Sequence, residues 1–407
     1  MNPCDLINEI IQLSAPISSF VNFTPVTQSN SQPIVCEPFF DVTRLRKYAE
    51  SISVLYQTND LVQKSYSRKE FELQFDDFFS IELAQKIEIG PPMSTAFFAK
   101  LLDEPEKEFT VLRDVHGVKI ETPSSPRVLG PFTIYHYLTH KNLIHSKSDL
   151  PPQHIWGSED PQYLIQVKTK ARDIVKAIEK ADVLFEKFEL TLKFILGPNE
   201  RWEVGVLEYR GWRHRRSFAF SEGDVSSASN TNYGSIDPIP IDDPYFTNAE
   251  WGFDRIWEFL SVPNNTELEK KLLLAIEWIG QSYIERSPPS AFLKSAIALE
   301  ILFTYNEKTI INSSILSQIS ESIALLLGEK LSERLEIESR IKKLYNLRSS
   351  IAHAGKQQFP KEELDELINT SRSVVVKMLT SQTFRNCKSI ADVYSHLKAC
   401  KFSGNKI

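Results

Sequence analysis

The chain has 407 residues, of which 42% are hydrophobic and 25% charged, and its formal charge is −6. That composition belongs to a folded protein and excludes a disordered or low-complexity chain. The length allows two or three domains. No apolar run reaches about eighteen residues, so no membrane span and no membrane partner are expected. Met1-Asn2-Pro3-Cys4-Asp5 lacks the basic and apolar regions of a signal peptide. Cys4, Cys36, Cys387 and Cys400 lie far apart without a C-x-x-C pair. Neither a disulfide framework nor a zinc ribbon is expected, and a reducing, cytoplasmic location fits. The charge is uneven: Pro263–Ile407 holds 20 Lys+Arg against 16 Asp+Glu. The C-terminal part is thus mildly basic on an acidic chain, which permits a nucleic-acid partner.

In chain order, Asn2 to Leu13 reads as a short helix, with Asn2 as its cap and Pro3 in the first turn. Residues 15–41 are rich in Pro, Ser, Asn and Thr and read as loop or short strands. Leu45, Tyr48, Ile52 and Leu55 step by three and four, which predicts a helix. The aromatic-rich stretch from Glu70 to Phe79 fits strand and helix equally. From Glu108 to Tyr137, β-branched and aromatic residues between Gly and Pro breakers predict sheet. Val167, Ala171, Ile174, Ile178, Ala181, Phe185, Phe188 and Leu192 then follow a four-three spacing. That predicts one long helix over about 162–192. Gly197-Pro198 ends it, and Trp202 to Phe220 reads as a hairpin turning near Tyr209-Arg210-Gly211. Residues 221–250 carry few apolar anchors and read as a mobile loop. The domain boundary is placed near Pro263-Asn264-Asn265.

From Thr266 onward the periodicity is helical. Leu268, Leu272, Ala275 and Ile279 mark a first helix, broken at Ser287-Pro288-Pro289. A second runs about 290–305, a third about 313–327, a fourth about 332–353, and a fifth starts at Pro360. Five helices joined by short loops predict an up-and-down bundle. The fold class is therefore an α+β N-terminal region followed by an all-α C-terminal bundle. The expected division is 1–250 as the α+β region, 251–264 as linker, 265–382 as the bundle and 383–407 as a tail.

The fourth of these helices carries the strongest signal. Ile337, Ile341, Leu344 and Ile351 form one apolar stripe, and the position missing from it is Arg348. Gly355 suits the left-handed turn that closes a helix, and His353 sits in its last turn. A guanidinium in an apolar seam needs a partner or a wet cavity. Glu300 and Glu338 are the candidate partners for a purely structural ion pair.

Leu347-Arg348-Ser349-Ser350-Ile351-Ala352-His353, with Tyr345-Asn346 before it and Gly355 after it, resembles the R-x-x-x-x-H motif of HEPN ribonuclease domains, most closely the Apea-like branch. Ala298-Leu299-Glu300-Ile301-Leu302-Phe303 is similar to that branch's second helix. The resemblance covers about residues 265–380. It implies a HEPN bundle that dimerises and cuts RNA, tRNA among the candidate substrates, as a toxin-like effector of bacterial antiphage defence and abortive infection. The N-terminal region would then sense a phage-derived trigger or carry specificity.

The residue types suit that chemistry. RNA carries its own nucleophile, the 2′-hydroxyl, so no metal and no cofactor is required. A histidine near neutrality suits the proton transfers, and a guanidinium matches phosphate oxygens with two parallel hydrogen bonds. Arg348 and His353 are five residues apart, about 140° around a helix. One copy does not close both on one phosphate. The HEPN resemblance implies a remedy, two copies packing this helix against its mate. Asn346 and Ser349 are polar neighbours able to orient the pair or bind phosphate, with Tyr345 and Glu300 in support. Many HEPN motifs carry Asn, Asp or His where Ser349 stands.

Two other clusters compete. Trp212-Arg213-His214-Arg215-Arg216 combines stacking and phosphate-binding residues, Trp212, Arg213, Arg215 and Arg216 above all; its plain alternative is a solvated hairpin edge. His136, His140, His145 and His154 form a loose group from which a metal-dependent hydrolase could be built, though no acidic or cysteine ligand is interleaved. No Walker A loop, dinucleotide fingerprint or G-x-S-x-G occurs. Beside the ribonuclease stand two alternatives, then: a non-catalytic HEPN dimerisation or RNA-binding module, and that hydrolase.

Overall fold

The computed structural model describes residues 2–14, 42–146, 162–199, 201–208, 215–221, 224–230, 237–304 and 315–403. In chain order these form helices α1 (Pro3–Leu13), α2 (Val42–Gln57), α3 (Asp60–Ser65), α4 (Arg68–Phe78), α5 (Ser80–Gln85) and α6 (Pro91–Asp103). Strands β1 (Lys107–Asp114), β2 (Val118–Lys119), β3 (Arg127–Leu129) and β4 (Phe132–His136) follow, then α7 (Tyr137–His145), β5 (Tyr163–Ala171) and α8 (Ile174–Leu196). Next come β6 (Arg215–Ser221), β7 (Asp224–Asn230), β8 (Ile239–Pro240) and α9 (Phe253–Ser261). The chain continues as α10 (Glu267–Ile284), α11 (Pro288–Phe303), α12 (Ile315–Leu327), α13 (Leu331–Ala354), α14 (Lys361–Thr380) and α15 (Ile390–Ser403). The first half is thus mixed α and β, and the rest is helical. Among the described residues no helix is long and apolar enough to cross a membrane.

The chain divides into two compact units, Met1–Val111 with Lys168–Asp182, and Leu112–Val167 with Val183–Ile407. In the first, Phe71, Phe75, Phe79 and Phe97 are fully buried and centre a core shared with α1 residues Ile7, Ile10 and Ile11. The undecided stretch from Glu70 is helix α4, started by Ser67, whose hydroxyl accepts from the Glu70 amide at 3.1 Å. Burial of every fourth aromatic decided between the two periods.

The long helix expected over 162–192 is instead a strand followed by a helix. Tyr163–Ala171 alternates its last exposed positions Lys168 and Lys170 with buried Thr169 and Ala171, a two-residue period. Asp173 then starts α8, its carboxylate accepting from the Lys176 amide at 2.9 Å. The four-three spacing of Val167 and Ala171 with the later residues was a coincidence of two elements. The strand belongs to a four-stranded sheet of order β1-β5-β4-β3. Its β3, β4 and β5 are antiparallel neighbours, with Ile134 opposite Ile165.

In the second unit Phe132 of β4 meets Phe188 of α8 at 4.9 Å, with Trp257 of α9 6.0 Å from Phe188. The stretch expected as linker, 251–264, therefore contains a helix whose Phe253, Ile256, Trp257 and Phe259 are buried. The expected loop at 221–250 contains β7, β8 and two 3₁₀ turns at Pro244–Thr247 and Ala249–Trp251. Asp242 ties it down by accepting from the amides of Glu121 and Thr122. A hairpin does form, later than expected, from Arg215–Ser221 and Asp224–Asn230; Tyr209, Arg210 and Gly211 lie outside the described residues. The tail contains α15, with Ile390, Val393, Leu397 and Cys400 buried.

The five C-terminal helices α10 to α14 lie where the periodicity placed them. Thr266 caps α10 through a reciprocal box with Glu269. Helix α10 approaches α8 closely at Gly280, where a Cβ would stand 2.5 Å from the carbonyl oxygen of Leu190.

Candidate functional site

Helix α13 ends as the sequence requires. Gly355 takes φ +66°, and its amide donates to the carbonyl of Ser350. Ile341, Leu344, Tyr345, Leu347 and Ile351 are buried. Arg348 interrupts that face and points toward α11. Its Nε stands 3.1 Å from Glu300 Oε1 and its Nη2 3.4 Å from Glu300 Oε2. Nε is not aimed along its short contact, so that half of the pair is an ion pair and not a hydrogen bond. Both side chains are about three-quarters buried, at 27% and 26% exposure. Of the two candidate partners, Glu300 holds the guanidinium; Glu338 instead pairs with Lys342 one turn along its own helix.

Tyr345 lies one turn before Arg348 (three residues) and is buried, with its hydroxyl donating to the carbonyl of Ala296 at 3.3 Å. Burial, and next the Glu300 carboxylate, push its phenol well above the usual tyrosine range. It stays neutral and acts as packing beside the ion pair, a hydrogen-bond donor to the α11 backbone.

The other motif residues face elsewhere. Asn346, Ser349 and His353 are all exposed and step by three and four, so they share the outer face of α13. Ser349 and Ala352, small and exposed, lie between the azimuths of Arg348 and His353. The structure brings together Arg348, Glu300 and Tyr345, and leaves Asn346, Ser349 and His353 on open surface. No carboxylate occurs between Glu338 and Glu362, so the whole end of α13 and the turn after it carry only cations among charged side chains.

The competing clusters fare differently. Trp212, Arg213 and His214 lie outside the described residues. Arg215 and Arg216 place their backbones in β6 opposite Asn230 and Ser229. His136 caps α7, its Nδ1 2.7 Å from Thr139 Oγ1, and His140 Nδ1 lies 3.0 Å from the His136 carbonyl. His140 is buried, His154 lies outside the described residues, and among the described residues no third ligand joins the two rings. Among the described residues no group of three His, Cys, Asp or Glu could hold a metal ion.

A cavity of about 500 Å³ lies elsewhere in the second unit, against α8 and the C-terminal end of α10. Leu190, Leu196, Leu207 and Ile284 line it together with Glu189. Sequence reading gave no sign of it, because its walls come from segments nearly a hundred residues apart. Glu189 spends its carboxylate on the chain itself, accepting from the amides of Val206 and Leu207. No family model matches the chain, and neither a curated protein nor a solved structure matches it.

Proposed function

We propose that the chain is a metal-independent endoribonuclease of the HEPN type, working as a homodimer in the cytoplasm as an effector of bacterial antiphage defence. One observation carries the reading: a guanidinium held by a carboxylate at the edge of a helical seam, with an exposed histidine five residues on at the same helix end. In the proposed reaction the 2′-oxygen attacks phosphorus, the bond to the 5′-oxygen breaks, and the 2′-hydroxyl proton leaves to a base while the 5′-oxygen gains one. His353 suits those proton transfers because it is exposed and free to meet substrate. Arg348 suits the charge that accumulates on the phosphate oxygens. The two point about 140° apart on one helix, so the cleft is proposed to form between two copies of α13. The N-terminal region, residues 1–250, is proposed to sense a phage-derived trigger or to carry specificity.

A second reading, a HEPN module that binds RNA or dimerises without cutting it, is favoured by the engagement of Arg348 with Glu300. One experiment separates them. Total cellular RNA is incubated in EDTA with the wild type and with His353→Ala, and the ends are mapped. Cleavage by the wild type alone, leaving 2′,3′-cyclic phosphate and 5′-hydroxyl ends, supports the nuclease. Binding without cleavage supports the module. A requirement for divalent metal with 5′-phosphate ends removes the proposed site altogether.

A further inference from the structure

The cavity against α8 and the end of α10 has an electrostatic sign. Glu186, Glu189, Glu203 and Glu208 line it, together with Lys193, Arg286 and Lys294. Two of those cations are already engaged: buried Lys193 donates to the carbonyls of Asn199 and Trp202, and Lys294 pairs with Glu285 at 2.7 Å. With Glu285 included, five carboxylates stand against three cations. The last turns of α8 and α10 also form walls, through Leu196 and Ile284, and a helix C-terminus carries the negative end of its dipole. Leu190, Val204 and Leu207 add apolar lining. Glu189 is the fixed point among these groups. The amides that it accepts from, those of Val206, Leu207 and Glu208, all reach one oxygen, Oε1. Among the described residues Oε2 meets no donor, and no lysine or arginine pairs with the carboxylate. We infer that the cavity is a binding site for a small organic cation, an amine with a hydrocarbon body, whose ammonium meets Glu189 Oε2 while its body lies on the leucine wall.

A half-buried carboxylate satisfied on one oxygen only favours a ligand that brings a donor to the other. Burial raises the Glu189 carboxyl and the amides only oppose it, so the group lacks a counter-charge, which an ammonium supplies. The amides also hold the side chain in one rotamer, so little freedom is lost on binding. An anion would meet five carboxylates. A neutral alcohol could donate to Oε2 but would bring no charge. The volume of about 500 Å³ lies within the range of small-molecule pockets, roughly 300–1,000 Å³. The walls come from two stretches of chain within the second unit: α8 and residues 203–208 precede the helical bundle, while α10 and Lys294 of α11 belong to it. A ligand in the cavity therefore touches both. The inference is independent of the ribonuclease reading.

The test is isothermal titration calorimetry on the full chain with phenylbutylamine, phenylbutanol and phenylbutyrate, probes of one shape that differ in the polar end. The expected result is a single amine per chain with Kd on the order of 1 mM or below, ordinary for a ligand of that size. The alcohol should bind about tenfold more weakly, because its hydrogen bond gains less from charge, and the acid should give no detectable heat. Glu189→Gln keeps an acceptor for the amides and the side-chain shape. It should weaken the amine about tenfold and leave the alcohol within about twofold. Ile284→Trp, at a position 54% exposed and so tolerant of a large side chain, should block amine and alcohol alike, and it decides the matter if Glu189→Gln does not fold. Thermal unfolding gives a second readout: the amine should raise Tm of the wild type and not of Ile284→Trp. Equal affinity for amine and alcohol overturns the assignment of a cation. Amine binding that survives unchanged in the folded variants places the probe elsewhere on an acidic surface and overturns the site. A wild type that binds no amine overturns the inference as a whole.

Discussion

The guanidinium of Arg372 donates to the carbonyl of Ile195 at 2.9 Å, tying helix α14 to the end of α8 across 177 positions of sequence. The same group lies 5.9 Å from the ring of Phe194 and 6.0 Å from that of Trp251. A cation at a helix C-terminus meets the negative end of the dipole, and the two rings add cation–π attraction. Arg372→Ala is expected to destabilise the protein by about 2 kcal/mol, from a lost charge-assisted hydrogen bond. Arg372→Lys should recover only part, because an ammonium keeps the charge without the planar stack. Urea unfolding checks both, and equal stability of all three proteins would refute the tie.

The sequence displayed what depends on period and local chemistry. The bounds of α10 to α14 follow from three-four spacing and from Thr266, Pro288 and Gly355, whose effects are confined to neighbours on the chain. The interruption at Arg348 was visible for the same reason. Its partner was not, since Glu300 and Glu338 both satisfy the charge and only the rotation of α11 selects between them. The stretch from Tyr163 misled because Val167 and Ala171 continue the spacing of α8 backward by chance. The expected linker and tail misled because the apolar residues of α9 and α15 gain meaning only from the surfaces that they cover.

Two glycines should each lose stability on replacement by alanine, for different reasons. In an ordinary helix interior Gly→Ala stabilises by about 1 kcal/mol. At Gly280 the new Cβ would stand 2.5 Å from the backbone of Leu190, so Gly280→Ala is expected to destabilise by about 1–3 kcal/mol through overpacking. Gly355→Ala meets no atom within 4 Å but must keep φ +66°, at a cost of about 1 kcal/mol. Thermal unfolding ranks them, and a stabilised Gly280→Ala would show that α8 and α10 are not in that contact.

Glu189 makes stability depend on pH. Burial, the largest cause, raises its carboxyl above the ordinary 4.5, against the amides of Val206, Leu207 and Glu208, which lower it. A raised carboxyl binds its proton more tightly in the folded state. Its favourable contribution is therefore complete below about pH 4.5 and is lost as pH rises through the folded value. Glu189→Gln keeps an acceptor for the loop and removes the charge. The variant should gain stability relative to the wild type at pH 8, and that gain should shrink as pH falls toward 4.5. A difference that does not change with pH would mean that Glu189 is ordinarily solvated.

Arg348 and His353 should separate sharply when stability is measured instead of activity. His353 is exposed at a helix end and has no hydrogen bond or ion pair among the described residues, so His353→Ala is expected to shift unfolding by less than about 0.5 kcal/mol. Arg348→Ala leaves the Glu300 carboxylate, only 26% exposed, without its cation. An ionised group stranded in that way costs about 1–3 kcal/mol. Removing both partners at once, in Glu300→Ala/Arg348→Ala, should cost less than the sum of the single losses, since no charge is then stranded. On the proposed ribonuclease reading, where proton-transfer catalysis is worth about a hundred- to ten-thousandfold, His353→Ala should be the inactive protein that unfolds like the wild type. Arg348→Ala should be inactive and weaker. A His353→Ala protein that is strongly destabilised would place the histidine in the packing and withdraw it from chemistry. Additive losses in the double variant would show that Arg348 and Glu300 do not act as a pair.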